Sequence, residues 1–259
     1  MKYPIQKIQQ FRKRRRREKN QRKQIPRIVV PSFFTLMNLF SGFLSILMVA
    51  EGKLEIGAWL IVVAGLFDAL DGFMARLANA TSEFGIELVA PGFLIYNFSF
   101  QELALLGMIL SALPPLCGAV RLARFNIEAK LGESVFFKGL PTPAQAVMIV
   151  AFFLTFRNRL DWFTGFEQGI NAFLIPIVLI LSFLMVSTVP FDKIPRFDNQ
   201  SIKLYKGRLI LFTFYLLAII IFQDIGLMIV FTFFILKGVM LGIYIFWKQA
   251  FSDSDDFAG

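Results

Sequence analysis

Histidine is absent from the 259 residues and cysteine occurs once, at Cys117. Imidazole acid–base chemistry, Cys–His nucleophiles, Cys/His zinc sites and intrachain disulfides are thereby excluded. Charge is scarce as well. Asp, Glu, Lys and Arg make up 17% of the chain, against about 25% in an ordinary soluble domain, while 56% of residues are hydrophobic and the mean hydropathy is +0.64. This is the composition of a membrane protein. Any catalysis in it rests on carboxylates, lysine, arginine, hydroxyls or a metal held by oxygen.

The formal charge of +9 has a definite location. Met1 to Arg27 hold twelve Lys/Arg and one acid, Glu18, so the tail carries +11 and the remainder −2. No apolar residue follows Phe11 within the run Arg12 to Lys19, which suits a solvated segment lying along an anionic lipid surface. The tail lacks the short apolar core of a secretory signal. No nucleic-acid partner is expected, because no folded soluble module or interleaved aromatics accompany the basic run. The positive-inside rule makes it a cytoplasmic anchor.

A helix needs about 20 apolar residues to cross ~30 Å of hydrocarbon. Ile28 to Ala50, Ile56 to Leu77, Leu103 to Leu122, Thr142 to Phe156, Asn171 to Val189, Leu209 to Phe222 and Gly226 to Trp247 read as spans. Leu88 to Phe100 is apolar throughout, yet at thirteen residues it reaches only about 20 Å. Charge nevertheless asks it to cross. Only then do Arg121, Arg124, Lys130 and Lys138, and Lys193, Arg196, Lys203, Lys206 and Arg208, share the tail's side, leaving Lys53, Arg157 and Arg159 opposite. The predicted fold is an all-α polytopic membrane helix bundle of about eight transmembrane segments, the third shortened. It occupies residues 28–247 between the basic tail (1–27) and an acidic C-terminal tail (248–259) whose end, from Phe251, is expected to lack regular structure. Lys237, near the middle of the last span, is expected to face the bundle interior or a cavity.

Asp68 and Asp71 stand near the end of the second span in Gly65-Leu-Phe-Asp-Ala-Leu-Asp-Gly-Phe-Met-Ala-Arg76. At ~100° per residue, Asp68, Asp71, Gly72, Ala75 and Arg76 share one helix face. Carboxylates at membrane depth cost about 2.5–3.5 kcal/mol each on insertion scales, so they require a cation, a partner or a wet cavity. Acids three residues apart suit a hard ion, Mg²⁺ or Mn²⁺, and Gly72 and Ala75 leave room for a bulky ligand. An Asp71–Arg76 ion pair with interfacial snorkelling is the plainer alternative.

The pattern Asp68-x-x-Asp71-Gly72-x-x-Ala75-Arg76, followed by Gly85 after eight residues, resembles the signature of the CDP-alcohol phosphotransferases. Pro31 to Gly42, Arg121-Leu-Ala-Arg-Phe-Asn126, Lys138-Gly-Leu-Pro-Thr-Pro-Ala144 and Leu184 to Phe191 resemble the phosphatidylserine synthase branch. That resemblance implies transfer of a phosphatidyl group from CDP-diacylglycerol to L-serine in a cell (inner) membrane, giving phosphatidylserine and CMP, by a homodimer among membrane lipids. It implies Asp68 and Asp71 as ligands of Mg²⁺ or Mn²⁺. Gly72, Ala75, Arg76 and Gly85 would be substrate-binding. Thr35 and Asn38 would line the nucleotide cleft, unless they bridge helices. Arg121, Arg124 and Lys138 would meet phosphate or the serine carboxylate, although anchoring explains the arginines and a helix entrance explains the prolines after Lys138.

One departure bears on mechanism. The family signature continues with two further Asp, where this sequence has Val89 and Phe93. Phe84-Gly-Ile-Glu-Leu88 abuts Val89-Ala-Pro91 as though about ten residues had been removed, and restoring ten would give the third span ordinary length. The expected proton acceptor is among the missing acids, and Glu87 is a poor substitute. An impaired enzyme, a catalytically degenerate lipid- or nucleotide-binding protein of the same fold, and a channel or transporter are the three competing expectations. No internal repeat favours the last.

Overall fold

A computed structural model describes residues 29–78, 88–129, 137–191 and 206–255. The basic tail, Gly85, Glu87, Lys130 and the loop from Lys193 to Lys203 lie outside the described residues. Among the described residues, regular structure is helical apart from one pair of two-residue strands.

Helices α1 (Val29–Ala50) and α2 (Leu54–Ala78) form an antiparallel hairpin through Glu51-Gly-Lys53. Ser45 Oγ donates to Gly57 O across it at 2.8 Å, the usual way a hydroxyl joins buried membrane helices. The segment after Leu88 forms α3 (Ala90–Phe98), which is only nine residues long and starts with Pro91 in its first turn. A 3₁₀ turn, Phe100–Leu103, leads into α4 (Ala104–Ala129). These make a second antiparallel hairpin with a tight seam. Pro115 has no N–H to give Ser111 O, and Gly92 approaches that freed carbonyl so closely that a Cβ would collide with it. Leu88 packs against Gly118 and Phe100 against Gly107. The shortened third segment thus runs from the Arg121 end of the bundle to the opposite end, while α4 continues eleven residues, Ala119 to Ala129, past Leu88.

Strand β1 (Phe137–Lys138) pairs antiparallel with β2 (Pro190–Phe191), Phe137 opposite Phe191 and Lys138 opposite Pro190. Between them, α5 (Thr142–Phe156) and α6 (Asn171–Val186) cross the bundle. Helix α7 (Lys206–Asp255) would be about 75 Å long if straight, more than two membrane thicknesses. It breaks at Gln223 (φ 46°, ψ −116°), where two spans were expected. It also remains helical as far as Asp255, into the acidic stretch expected to be irregular.

Phe33–Ala50, Phe100–Arg124 and Ile221–Lys248 are long and apolar enough to cross a membrane. The outside of the bundle is as apolar as its inside: Leu36, Phe40, Leu105, Ile109, Phe183 and Met240 are all exposed. This is an integral membrane protein whose outer solvent is lipid. The inner core joins Ile95, Phe100 and Leu110 with Ile149, Phe152, Leu174, Val178 and Met185. A second cluster ties Val49, Ala58 and Ile61 to Ala90, Leu94, Ala146 and Val150.

Lys237 corrects one expectation, because it is exposed on the bundle surface. The buried positions of α7 step from Leu227 and Val230 to Ile235 and Gly238 as the helix crosses its neighbours, and Lys237, in register with Val230, is left on the outside.

Candidate functional site

Charged side chains divide between the two ends of the bundle. Lys53, Arg157 and Arg159 occupy one end with Glu55 and Asp224; Arg157 Nη2 meets Glu55 Oε1 at 2.7 Å and Nη1 meets Asp224 Oδ2 at 4.0 Å. Asp68, Arg121, Arg124 and Lys138 occupy the other. This is the segregation expected from the loop charges.

At the second end, α2 remains helical through Asp71 to Ala78, so positions 68, 71, 72, 75 and 76 share one face. Asp68 acts electrostatically on Arg121 of α4, and so does Arg124. Arg121 Nη1 donates to Thr142 Oγ1 at 3.2 Å, joining α4 to the first turn of α5. Phe34 and Phe67 are ring neighbours at 6.4 Å across the α1–α2 hairpin, and Thr35, next in sequence to Phe34, is half-buried. Asn38, one turn deeper, is buried, and its Oδ1 has no hydrogen-bond partner among the described residues.

Arg124 is committed to backbone. Its Nη1 donates to Val186 O at 2.7 Å, and its Nη2 donates to Lys138 O at 2.8 Å and Ser187 O at 3.0 Å. Gly139 makes the junction possible: at φ +80°, it sits where a Cβ would strike Met185 O and crowd Arg124 Nη2. Gly139 N donates to Val189 O at 2.8 Å and Leu140 N to Leu184 O at 3.0 Å, so β1 is locked to the end of α6. Lys138 keeps an exposed side chain beside the arginines.

The structure therefore brings Thr35, Asp68, Arg121, Arg124 and Lys138 to one end and adds Thr142, whose role only its bond to Arg121 reveals. Asp71, Gly72, Ala75 and Arg76 are placed by their helical backbone alone, and Gly85 lies outside the described residues. Val89 is half exposed just before α3, and Phe93 packs against the second apolar cluster, so hydrocarbon stands where the signature acids were expected.

For a divalent ion, the donor set is partial. Two carboxylates one helical turn apart can hold one hard cation when substrate phosphates and water complete its shell. Among the described residues there is no group of three or more acidic, His or Cys side chains to hold another.

A multi-helix bundle, apolar on its outside and charged at its two ends, defines an integral-membrane protein. The sequence model of the CDP-alcohol phosphatidyltransferase family matches residues 28–189, and the chain belongs to that family. It is similar to the CDP-diacylglycerol--serine O-phosphatidyltransferase of Helicobacter pylori (strain J99), 29% identical over 238 residues covering 88% of this chain and 96% of the relative. The protein of that name from Methanocaldococcus jannaschii is 35% identical over 181 residues, 65% of this chain and 76% of its own. Archaetidylserine synthase of Methanothermobacter thermautotrophicus is 33% identical over 193 residues, 70% of this chain and 76% of its own.

Proposed function

We propose that this chain is built to transfer the phosphatidyl group of CDP-diacylglycerol to L-serine, releasing CMP, and that it does so poorly because two signature acids are absent. The observation that carries the reading is that Arg121, bonded to Thr142, lies within electrostatic reach of Asp68 on the motif helix, at the bundle end that also holds Arg124 and Lys138. The names of the similar proteins support the substrates.

In this reading Asp68 and Asp71 hold Mg²⁺ or Mn²⁺, which when bound polarises the diphosphate and offsets charge on the leaving CMP. Gly72 and Ala75 let the diphosphate approach α2, Arg76 and Gly85 complete its cradle, and Thr35 and Asn38 flank the nucleotide. The serine oxygen forms the new bond to the phosphatidyl phosphorus as the bond to CMP breaks, and its proton needs an acceptor. The expected Asp positions are Val89 and Phe93, which offer none. The basic tail and the Asp68 end face the cytoplasm of the cell (inner) membrane, and the working unit is a homodimer.

The length of α4 beyond Leu88 and the missing half-signature both support an internal shortening by about three helical turns. Assaying CMP release with serine and Mn²⁺ tests the reading. The 259-residue chain should turn over at a small fraction of the rate of a variant with a ten-residue segment carrying the two acids inserted between Leu88 and Val89. Robust turnover by the unmodified chain refutes the impairment. The same absence favours a second reading, a nucleotide-binding relative without catalysis, which predicts metal-dependent CDP binding and no turnover at all by the unmodified chain.

A further inference from the structure

Helices α5 and α6 are short for the layer they cross. At 15 and 16 residues they rise about 22 and 24 Å, against ~30 Å of hydrocarbon. Their ends nearest Arg124 are tied to the charged face of the bundle: Leu140 N donates to Leu184 O at 3.0 Å and Gly139 N to Val189 O at 2.8 Å, beside exposed Lys138. The deficit of about 6–8 Å therefore falls at their opposite ends, at the loop of residues 157–170 that joins them.

That loop suits a setting with little water. The N–H groups of Arg159, Trp162, Thr164, Phe166, Gly169 and Asn171 each donate to the carbonyl three residues back, at 2.9–3.4 Å. Backbone that enters lipid has to be satisfied within the protein in this way. The guanidinium groups at its start are turned to protein as well, Arg157 Nη1 donating to Leu154 O at 3.1 Å and Arg159 Nη1 to Thr155 O at 2.9 Å, both carbonyls of the last turn of α5. Phe163 and Ile170 are buried in the inner core and pin the loop, whereas Leu160 (47%), Trp162 (69%) and Phe166 (49%) are exposed. The Arg159 guanidinium lies 5.6 Å from the centroid of the Trp162 ring, and Asp161 and Glu167 are exposed on the same loop.

We propose that residues 157–170 are an interfacial anchor, seated in the headgroup–acyl boundary of the lipid leaflet opposite the Asp68 end. Leu160, Trp162 and Phe166 enter among the upper acyl chains, while Arg159, Asp161 and Glu167 stay at the headgroups. Tryptophan, with an apolar ring and one N–H, is enriched at that boundary, and a guanidinium against its ring extends the polar edge. The loop thereby makes up the length that α5 and α6 lack. This inference concerns a surface that the phosphatidyltransfer reading does not use, and it stands or falls independently.

The test is depth-dependent quenching of the full chain in phosphatidylcholine–phosphatidylglycerol vesicles. Trp59→Phe with Trp247→Phe leaves Trp162 as the one tryptophan, and both replaced residues are exposed. Trp162 should lose most of its emission to lipids brominated on the upper acyl chain, less to lipids brominated near the chain end, and little to iodide present on both sides of the membrane. Strong iodide quenching without lipid quenching puts the loop in water and overturns the anchor. Quenching by neither means that protein covers Trp162, as a second copy of the chain would, and also overturns it; strongest quenching from the chain end overturns the interfacial depth. A second route keeps Trp59 and Trp247: a nitroxide on Trp162→Cys, with Cys117→Ala, should be relaxed more by dissolved oxygen than by an aqueous nickel chelate, and the reverse order overturns the proposal.

Discussion

Arg124 donates to carbonyls that the end of a helix leaves open. Val186 O and Ser187 O belong to the last turn of α6 and the residue after it, where intrahelical donors run out and a cation complements the helix dipole. Its bond to Lys138 O adds β1 to the same clamp. Arg124→Ala should cost about 2–4 kcal/mol, and Arg124→Lys should recover less than half, because a point charge cannot span three acceptors as a planar fork does. Thermal unfolding in detergent reads both. Asp68→Asn and Asp71→Asn should instead leave the midpoint nearly unchanged and lower manganese-dependent CDP affinity about tenfold or more in titration. Unchanged affinity in both would place the cation elsewhere. The motif carboxylates and the two arginines were legible in the sequence because acids and guanidinium groups at membrane depth need a reason. That Arg124 spends its donors on backbone was not legible, since its acceptors lie 14, 62 and 63 residues away.

Secondary elements here are shaped by a few backbone positions. Gln223 and Ala104 both have positive φ, 46° and 49°, with ψ of −116° and −126°, a region glycine enters far more cheaply than residues with a Cβ. Gln223→Gly and Ala104→Gly should each stabilise the protein by about 1 kcal/mol, readable as a raised thermal midpoint. Gly92→Ala should do the reverse, by about 1–3 kcal/mol, because the new methyl meets Ser111 O in the α3–α4 seam and both backbones must part. The sequence marked the break near Gln223 through the fall in apolarity around Gln223 and Asp224, and it marked the third segment as too short. It did not reveal how a nine-residue helix is accommodated. Pro115 frees a carbonyl, Gly92 sits against it, and the 3₁₀ turn at Phe100 completes the passage, all of which depend on which helix lies opposite.

The bundle as a whole separates two charged ends by an apolar layer, and sidedness is its most direct whole-molecule consequence. Single cysteines introduced at Lys53 or Arg159, with Cys117 replaced by Ala, should react with an impermeant maleimide added outside intact cells. A cysteine at Lys138 should react only after the membrane is opened. Labelling of both sets from one side would break the proposed topology. The clamp of Arg157 on Glu55 and Asp224 joins α2, α5 and the α7 break at the end opposite Asp68. As an interfacial pair it should contribute about 1 kcal/mol or less, and less still at high salt.

Composition and spacing by themselves determined that this chain lives in lipid, that histidine and intrachain disulfide chemistry are unavailable to it, and that its paired acids need a cation, a partner or a wet cavity. These conclusions follow from residue types and one-dimensional spacing. Only the tertiary structure decided that Lys237 lies outside, that Arg124 clamps a loop, and that Gln145 and Ser182 are buried. Each depends on helix phase and on neighbours distant in sequence, and a period of 3.6 residues says which positions share a face without saying what that face meets.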